Sequence, residues 1–346
     1  MLPNLMHDQD KLKKYSLSEK QNVFLDNYMD VLKNYIAGGN PSEDTLKNYV
    51  SRIQDFLEWC HNNKIYPMHV HEQHVILYRS HLIDQKQKAG TINNKLTAIR
   101  KFYHIAQKFV LIASNPVEDV KAPRDPDADS VSLQYLTAGQ IEYILRSITV
   151  EDEKALRDLV IIFLMALEGL RTVEIYRMSI EHIDQEKKAI KVIGKGHNDY
   201  IYPRDDTFTL LIKYLRTKET YPIADDMGVP VFTSTSNNKT GCRISRRNIR
   251  SAVDGILATA GFKMPGKSCH VLRHSCATML YAETKDLKVV QETLRHKSTQ
   301  MASRYAHLQN RMENRYTKNI PIQIDNILDV ESGQKENDNQ NEIFDK

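Results

Sequence analysis

Cysteine is scarce in this sequence. Four occur in 346 residues (Cys60, Cys242, Cys269 and Cys276), at spacings that match no disulfide framework, which excludes a small cross-linked secreted fold and fits a reducing cytoplasm. No CxxC pair is present, so the usual ligand set of a structural zinc site is missing. Long apolar runs are also lacking. The longest, LVIIFLMAL from Leu159 to Leu167, is far short of the roughly 20 residues that a membrane span requires, and it reads as a buried helix. The opening MLPNLMHDQDKLKKYS has no apolar stretch that would serve as a signal peptide. There is no internal repeat.

What is present suits a folded protein with more than one core. A chain of 346 residues exceeds the usual single domain, and two domains are the natural expectation. Hydrophobic residues make up 41%, enough for globular packing throughout most of the length. The formal charge of +4 is unevenly spread: residues 322–346 hold seven acids against Lys335 and Lys346, a net of −5 that leaves +9 on residues 1–321. A moderately basic body favours an anionic partner.

Along the chain, periodicity predicts helices first. Residues 21–37 carry a helical apolar stripe that stops at Gly38-Gly39. Ser42 is placed to cap a second helix, in which Leu46, Tyr49, Val50, Ile53, Phe56 and Leu57 recur at helical spacing. A third helix is expected near 71–85. Ala89-Gly90-Thr91 is read as a break and new cap before a fourth, with Ile92, Leu96, Ile99, Tyr103 and Ala106 on one face and Asn94, Lys95, Arg100 and Lys101 on the other. Residues 121–135 have the Pro, Asp and Ser content of an exposed linker. A second domain begins at 136, with Thr137 capping a helix, followed by the buried helix at 151–167. Glu168-Gly169-Leu170 then turns the chain and presents Arg171 ahead of Thr172 and Glu174.

AIKVIGKGHNDYIYP reads as a β-hairpin with Lys195 at its tip. After a helix near 206–217, Arg243, Arg246, Arg247 and Arg250 stand at i, i+3, i+4 and i+7, a basic face opposite Ile249, Val253, Ile256 and Leu257. The last sixteen residues are too polar to fold alone. The fold expected is mainly α with a small β-sheet: a helical bundle over 21–120, the linker 121–135, an α+β domain over 136–321, and a C-terminal segment with an acidic tail at 322–346.

The richest stretch runs from Cys269 to His307. It holds His270 and Arg273 three apart, then His296, and Tyr305 nine positions later; EGLRTVEI upstream adds Arg171. Two arginines, two histidines and a tyrosine suit the holding of a phosphodiester while a phenol oxygen attacks it. Arginine forks match phosphate oxygens and stabilise developing charge. Tyr305 would be the nucleophile, His270 or His296 would take its proton or bond the phosphate, and Lys195 would protonate the leaving 5′ oxygen.

H-x-L-R-H, L-x-H nine positions before a Tyr, G-L-R-x-x-E and the G-K-G hairpin, in that arrangement and spacing, resemble the tyrosine recombinases of the phage-integrase, Xer and Cre type. The resemblance covers about residues 21 to 320. It implies an N-terminal core-binding (SAM-like) bundle and a catalytic domain around duplex DNA. It makes Arg171, Lys195, His270, Arg273 and His296 the activating set and Tyr305 the nucleophile. The intermediate would be a 3′-phosphotyrosine that needs neither ATP nor metal, so no cofactor is expected. It further implies a homotetramer on two DNA sites, monomeric without DNA, exchanging strands through a Holliday junction, with accessory DNA-bending proteins in some systems. The segment Ile322–Val330 is the candidate for packing onto a neighbouring protomer. Glu174 resembles the acid that supports the first arginine's loop. Thr45, Thr91, Asn94, Lys95, Arg100, Lys101, Arg243, Arg246, Arg247 and Arg250 are the expected DNA contacts. There is no membrane role in this reading, and the setting is the cytoplasm of a bacterium or its mobile elements.

The chain departs from that pattern at Arg295, where the family often has Gly; a disturbed helix cap and an extra DNA contact are both open, and loss of activity is not expected. The N-terminus leaves no room for the arm-site domain of some phage integrases. The chemical rival is zinc, since His270 and His274 stand four apart with Cys269 and Cys276 nearby, but Val271 follows His270 and the H-E-x-x-H base is absent. His274, Cys269 and Cys276 are therefore expected in the core. Two other functions compete: a type IB topoisomerase that relaxes supercoils, and a catalytically silent DNA-binding protein. Tyr316 is the alternative tyrosine.

Overall fold

A computed structural model describes residues 15–124, 135–194, 198–264, 268–295 and 305. The chain divides into two compact units at Ser130/Val131.

The first unit is helical. Helix α1 (Leu17–Tyr35) starts at a capping box: Ser16 Oγ accepts from the Glu19 backbone N–H, and Glu19 Oε2 accepts from that of Ser16 at 2.8 Å. Gly38 and Gly39 follow with φ of 67° and 85°, a left-handed turn that glycine enters without a Cβ penalty. Helix α2 (Glu43–Asn62) is capped by Ser42, which accepts from the Thr45 N–H. Helices α3 (Glu72–Asp84) and α4 (Ala89–Lys108) complete the unit. The expected recapping at Thr91 is corrected. Lys88 is the extended residue before α4, and Ala89, Gly90 and Thr91 already form its first turn, so the Gly is tolerated within the helix. Aromatic rings knit the core. Phe102 of α4 meets Phe24 and Tyr28 of α1 at centroid distances of 5.2 and 5.5 Å, and Phe56 of α2 meets Tyr78 of α3 at 5.0 Å.

The second unit is organised on a buried helix. Thr137 caps α5 (Ala138–Ser147) through a capping box with Gln140. Asp152 caps α6 (Glu153–Ala166), in which every residue from Leu156 to Ile162 and from Leu164 to Ala166 is buried. The apolar run fills the core, as its continuous hydrophobicity requires. Two residues ahead of it are charged and also buried: Arg157 pairs with Asp158 at 2.7 Å and donates to the Thr233 carbonyl at 2.8 Å. Helix α7 (Thr172–Tyr176) leads to a three-stranded antiparallel sheet in the order β1 (Ile183–Asp184), β2 (Ala189–Ile193), β3 (Asn198–Ile201). In register, Ile190 faces Ile183 on one side and Ile201 on the other. The hairpin β2–β3 was expected; β1 is too short to leave a sequence signal. Helices α8 (Asp205–Thr217), α9 (Arg246–Thr259), α10 (His270–Thr284) and α11 (Leu287–Thr293) follow. Among the described residues no helix is long and apolar enough to cross a membrane.

Candidate active site

The site begins where α6 ends. Gly169 adopts φ +65°, and a Cβ there would run into Leu294 Cδ2 and stand 3.3 Å from Cys276 Sγ, so the turn admits only glycine without displacing the layer behind it. The turn sets Arg171 as the extended residue before α7, and Glu174, at the third helical position, reaches back to it. Glu174 Oε2 accepts from the Arg171 N–H at 2.8 Å, and Oε1 accepts from Arg171 Nη1 at 2.7 Å. The Glu174 side chain is fully buried, while that of Arg171 keeps 27% of its surface exposed.

Helix α10 supplies the second arginine. His270 stands exposed at its first turn, and Arg273 three residues on is buried. Arg273 donates from Nη1 to the Gly169 carbonyl and from Nη2 to the Leu294 carbonyl. Arg171 Nη2 donates to the next carbonyl along, that of Arg295, at 3.3 Å. Two arginines far apart in sequence thus converge on two consecutive carbonyls just after α11.

Arg295 itself enters this cluster. It lies in the left-handed region at φ 54°, and its guanidinium turns inward: Nη2 meets Glu174 Oε2 at 2.9 Å and Nη1 donates to the Thr293 carbonyl at 2.8 Å. Its side chain is 2% exposed, so the expectation of an added DNA contact is corrected; the helix closes around the positive φ without loss of its cap. Three guanidinium groups therefore surround one carboxylate. Burial alone would raise the Glu174 pKa, but the charge of Arg295, the Arg171 backbone N–H and the charges of Arg273 and Arg171 outweigh it and hold the group below the usual carboxylate range. Burial, reinforced by Arg171, brings Arg273 down to about 9 against the pull of Glu174. The surplus of positive charge in a desolvated setting suits an anion whose charge grows in the transition state.

Tyr305 is buried in a small apolar cluster with Cys276, Ala277, Tyr281, Val290 and Leu294. Its hydroxyl lies 2.8 Å from Nδ1 of His274, and the ring centroids are 5.9 Å apart. His274 was expected in the core; it is half-buried and faces the tyrosine, in reach to exchange the phenol proton. The signal that points to it is its i+4 spacing from His270, which sets both rings on one side of α10 with centroids 6.4 Å apart. Cys269 and Cys276 are buried, and burial pushes the Cys276 thiol up to about 12. Lys195, His296, Tyr316 and the segment 322–330 lie outside the described residues, as does most of the linker.

The expected DNA contacts separate on inspection. Arg243 precedes α9 and is not on its face. Its side chain, 4% exposed, pairs with Asp225 at 2.6 Å and donates to Ser179 Oγ and to the carbonyls of Tyr176, Met178 and Gly228. Every arm of the fork is used internally, and the assignment to DNA is corrected. Arg100 is half-buried, and its Nε and Nη2 donate to the carbonyls of Val117 and Val120. Lys95 is paired with Asp55 at 2.7 Å, and Thr45 Oγ1 lies 2.8 Å from Ser42 Oγ. Thr91, Asn94, Arg247 and Arg250 are exposed; Lys101 is half-buried, and Arg246 lies over the Tyr176 ring at 5.8 Å.

Family models match both units: that of the phage integrase family over residues 134–312, and that of the phage integrase N-terminal SAM-like domain over 28–108. The chain is 27% identical over 296 residues to the tyrosine recombinase XerC of Staphylococcus haemolyticus, covering 85% of this chain and 94% of that protein. It is 28% identical over 288 residues to the XerC of Psychromonas ingrahamii, covering 81% and 91%. Among solved structures it is similar to a XerH site-specific recombinase bound to palindromic difH substrate in a post-cleavage complex, with a TM-score of 0.66, 21% identity and coverage of 88% and 85%. It is also similar to a dimer of lambda integrase residues 75–356 bound to a COC' core site, with a TM-score of 0.61, 19% identity and coverage of 81% of this chain and 96% of that fragment.

Proposed function

Because the chain belongs to the phage integrase family of tyrosine recombinases, we propose that it cuts and rejoins duplex DNA at specific sites through a 3′-phosphotyrosine on Tyr305. The observation that carries this reading is the convergence of Arg171 and Arg273 on the carbonyls of Arg295 and Leu294, in the layer that also packs against Tyr305. Arg171, the more exposed of the two, and Arg273 hold the non-bridging oxygens of the scissile phosphate. The Tyr305 oxygen attacks phosphorus, its proton leaves to a neighbouring imidazole, and the P–O5′ bond breaks as Lys195 protonates the departing oxygen. His270 and His296 complete the set around the phosphate, with Glu174 as support. The phosphoryl bond is kept in the covalent link, so the free 5′-hydroxyl of a partner strand reverses the step without ATP.

In this reading residues 21–120 bind the core site, with Thr45, Thr91, Asn94, Lys95 and Lys101 toward DNA, and 136–321 is catalytic, with Arg246, Arg247 and Arg250 meeting phosphates. Residues 121–135 connect them. Four protomers act on two sites in the bacterial cytoplasm, and 322–330 packs between protomers; accessory DNA-bending proteins assist assembly.

The test uses nicked suicide duplexes tiled across the DNA flanking the gene, together with a nicked pool of randomised sequence, in EDTA and without ATP. Wild type is expected to give a protein–DNA adduct on a denaturing gel, and Tyr305→Phe none. Tight binding without an adduct would contradict the proposal in favour of a silent DNA-binding protein. Supercoil relaxation without recombinant products would favour a topoisomerase.

A further inference from the structure

We infer that Arg295 is a positioning residue for strand cleavage: it shares Glu174 with Arg171 and ties the turn before His296 to the Arg171 loop. The inference rests on the recombinase reading and deepens it.

A long cationic side chain in the left-handed region is a costly choice of residue. Only glycine takes φ near +54° freely, and a non-glycine residue there must be held by its surroundings. Arg295 is held, and by charge. Its guanidinium is almost wholly buried, and its acidic partner, Glu174, is also the partner of Arg171. The two Glu174 oxygens divide the work: Oε1 takes Arg171 Nη1, and Oε2 takes both the Arg171 N–H and Arg295 Nη2. If Arg295 were removed, the buried carboxylate would be left mainly to Arg171, drawing that guanidinium inward and neutralising the cation that is best exposed to a phosphate. With Arg295 present, Glu174 is compensated from behind, and Arg171 keeps charge to offer.

The backbone follows the same logic. The Arg295 and Leu294 carbonyls accept from Arg171 and Arg273, and the next residue is His296. Fixing the Arg295 guanidinium on Glu174 therefore fixes the register of both arginines on the Leu294 and Arg295 carbonyls. Arg295 Nε has no hydrogen-bond partner among the described residues, a cost that packing alone gives no reason to keep. The groups that face Glu174 are Arg171 from its own turn, Arg273 from α10 and Arg295 from beyond α11, all cationic. Removing the strongest of these charges raises the carboxyl pKa, so near neutrality the ionised Glu174 draws Arg171 inward, while in acid it is protonated sooner and no longer fixes Arg171 in place.

The experiment compares Arg295→Gly and Arg295→Lys with wild type in single-turnover cleavage of the suicide duplex that gives the wild-type adduct, across pH, beside DNA affinity and thermal stability. Glycine fits the backbone, so the first variant removes the side chain without adding strain. Expected are cleavage slowed roughly 10- to 100-fold, DNA affinity within about threefold, and an acid limb of the pH–rate profile moved to higher pH. Arg295→Lys, which keeps the charge but not the fork, falls between. Wild-type rate and pH profile in Arg295→Gly would overturn the inference. So would losses of cleavage, affinity and stability in equal step in both variants, which would make Arg295 a folding residue only. Failure of the wild type to form any adduct would be a separate outcome, since it refutes the recombinase reading itself and this inference with it.

Discussion

The two units bury different things. Among the described residues, the first unit buries no charged side chain; its buried polar groups are Gln21, which donates to the Leu111 carbonyl at 2.8 Å, and tyrosine hydroxyls such as that of Tyr103, which donates to the Pro67 carbonyl at 2.7 Å. The second buries Arg157, Asp158, Glu174, Arg273 and Arg295 as well as several hydroxyls. Aromatic and aliphatic packing needs no partner atoms and stabilises without conditions. Buried charge stabilises only while every member of its network stays in place, and loss of one member strands the rest. The first unit is therefore held by packing without buried charge, and the second adds to its apolar core a buried charge network that includes Glu174, Arg273 and Arg295.

Substitutions can sharpen or break that contrast. The largest effect is expected in the apolar core of the first unit: Phe102→Ala, at the junction of α1 and α4, should cost about 3–5 kcal/mol, with hydrogen exchange localising the loss to residues 15–124. An equal loss of protection in the second unit would mean that the two units do not unfold separately. Next is Arg243→Ala, which strands Asp225 and several carbonyls and should cost about 3 kcal/mol of stability with no change in the salt dependence of DNA binding. Arg247→Ala and Arg250→Ala should do the opposite. Each leaves thermal stability unchanged and reduces the slope of log affinity against log salt by about 1.

The smallest effect concerns pH. The folded-state pKa of Glu174 is depressed, so its contribution to stability is complete above the ordinary carboxylate range and is lost as pH falls through the lowered value. The stability gap between wild type and Glu174→Gln should therefore be widest near neutrality and narrow in acid; a gap that widens in acid would contradict the assigned direction.

Local patterns made much of this fold legible before any coordinates. Ser42 and Thr137 cap the helices that they were expected to cap, and the 159–167 run lies in the buried helix, because capping and periodicity act within a few residues. What escaped depends on partners distant in sequence. Arg243 looked like one more residue on a basic helical face, yet α9 starts three residues later and Asp225 claims the guanidinium. Arg100 is drawn to carbonyls 17 and 20 residues downstream. The inward turn of Arg295 depends on Glu174, 121 positions away, and no periodicity announces it. The motif spacing grouped Arg171, Arg273 and Tyr305, whereas the i+4 spacing of His274 from His270 said nothing of its 2.8 Å contact with the Tyr305 hydroxyl.

The account turns on where the DNA phosphate becomes attached. The direct measurement is mass spectrometry of the adduct after nuclease and protease digestion, locating the residual nucleotide on a peptide. The account predicts a single modified peptide carrying a phosphodiester on Tyr305. Modification of Tyr316 or of any non-tyrosine residue, with Tyr305 untouched, would contradict it.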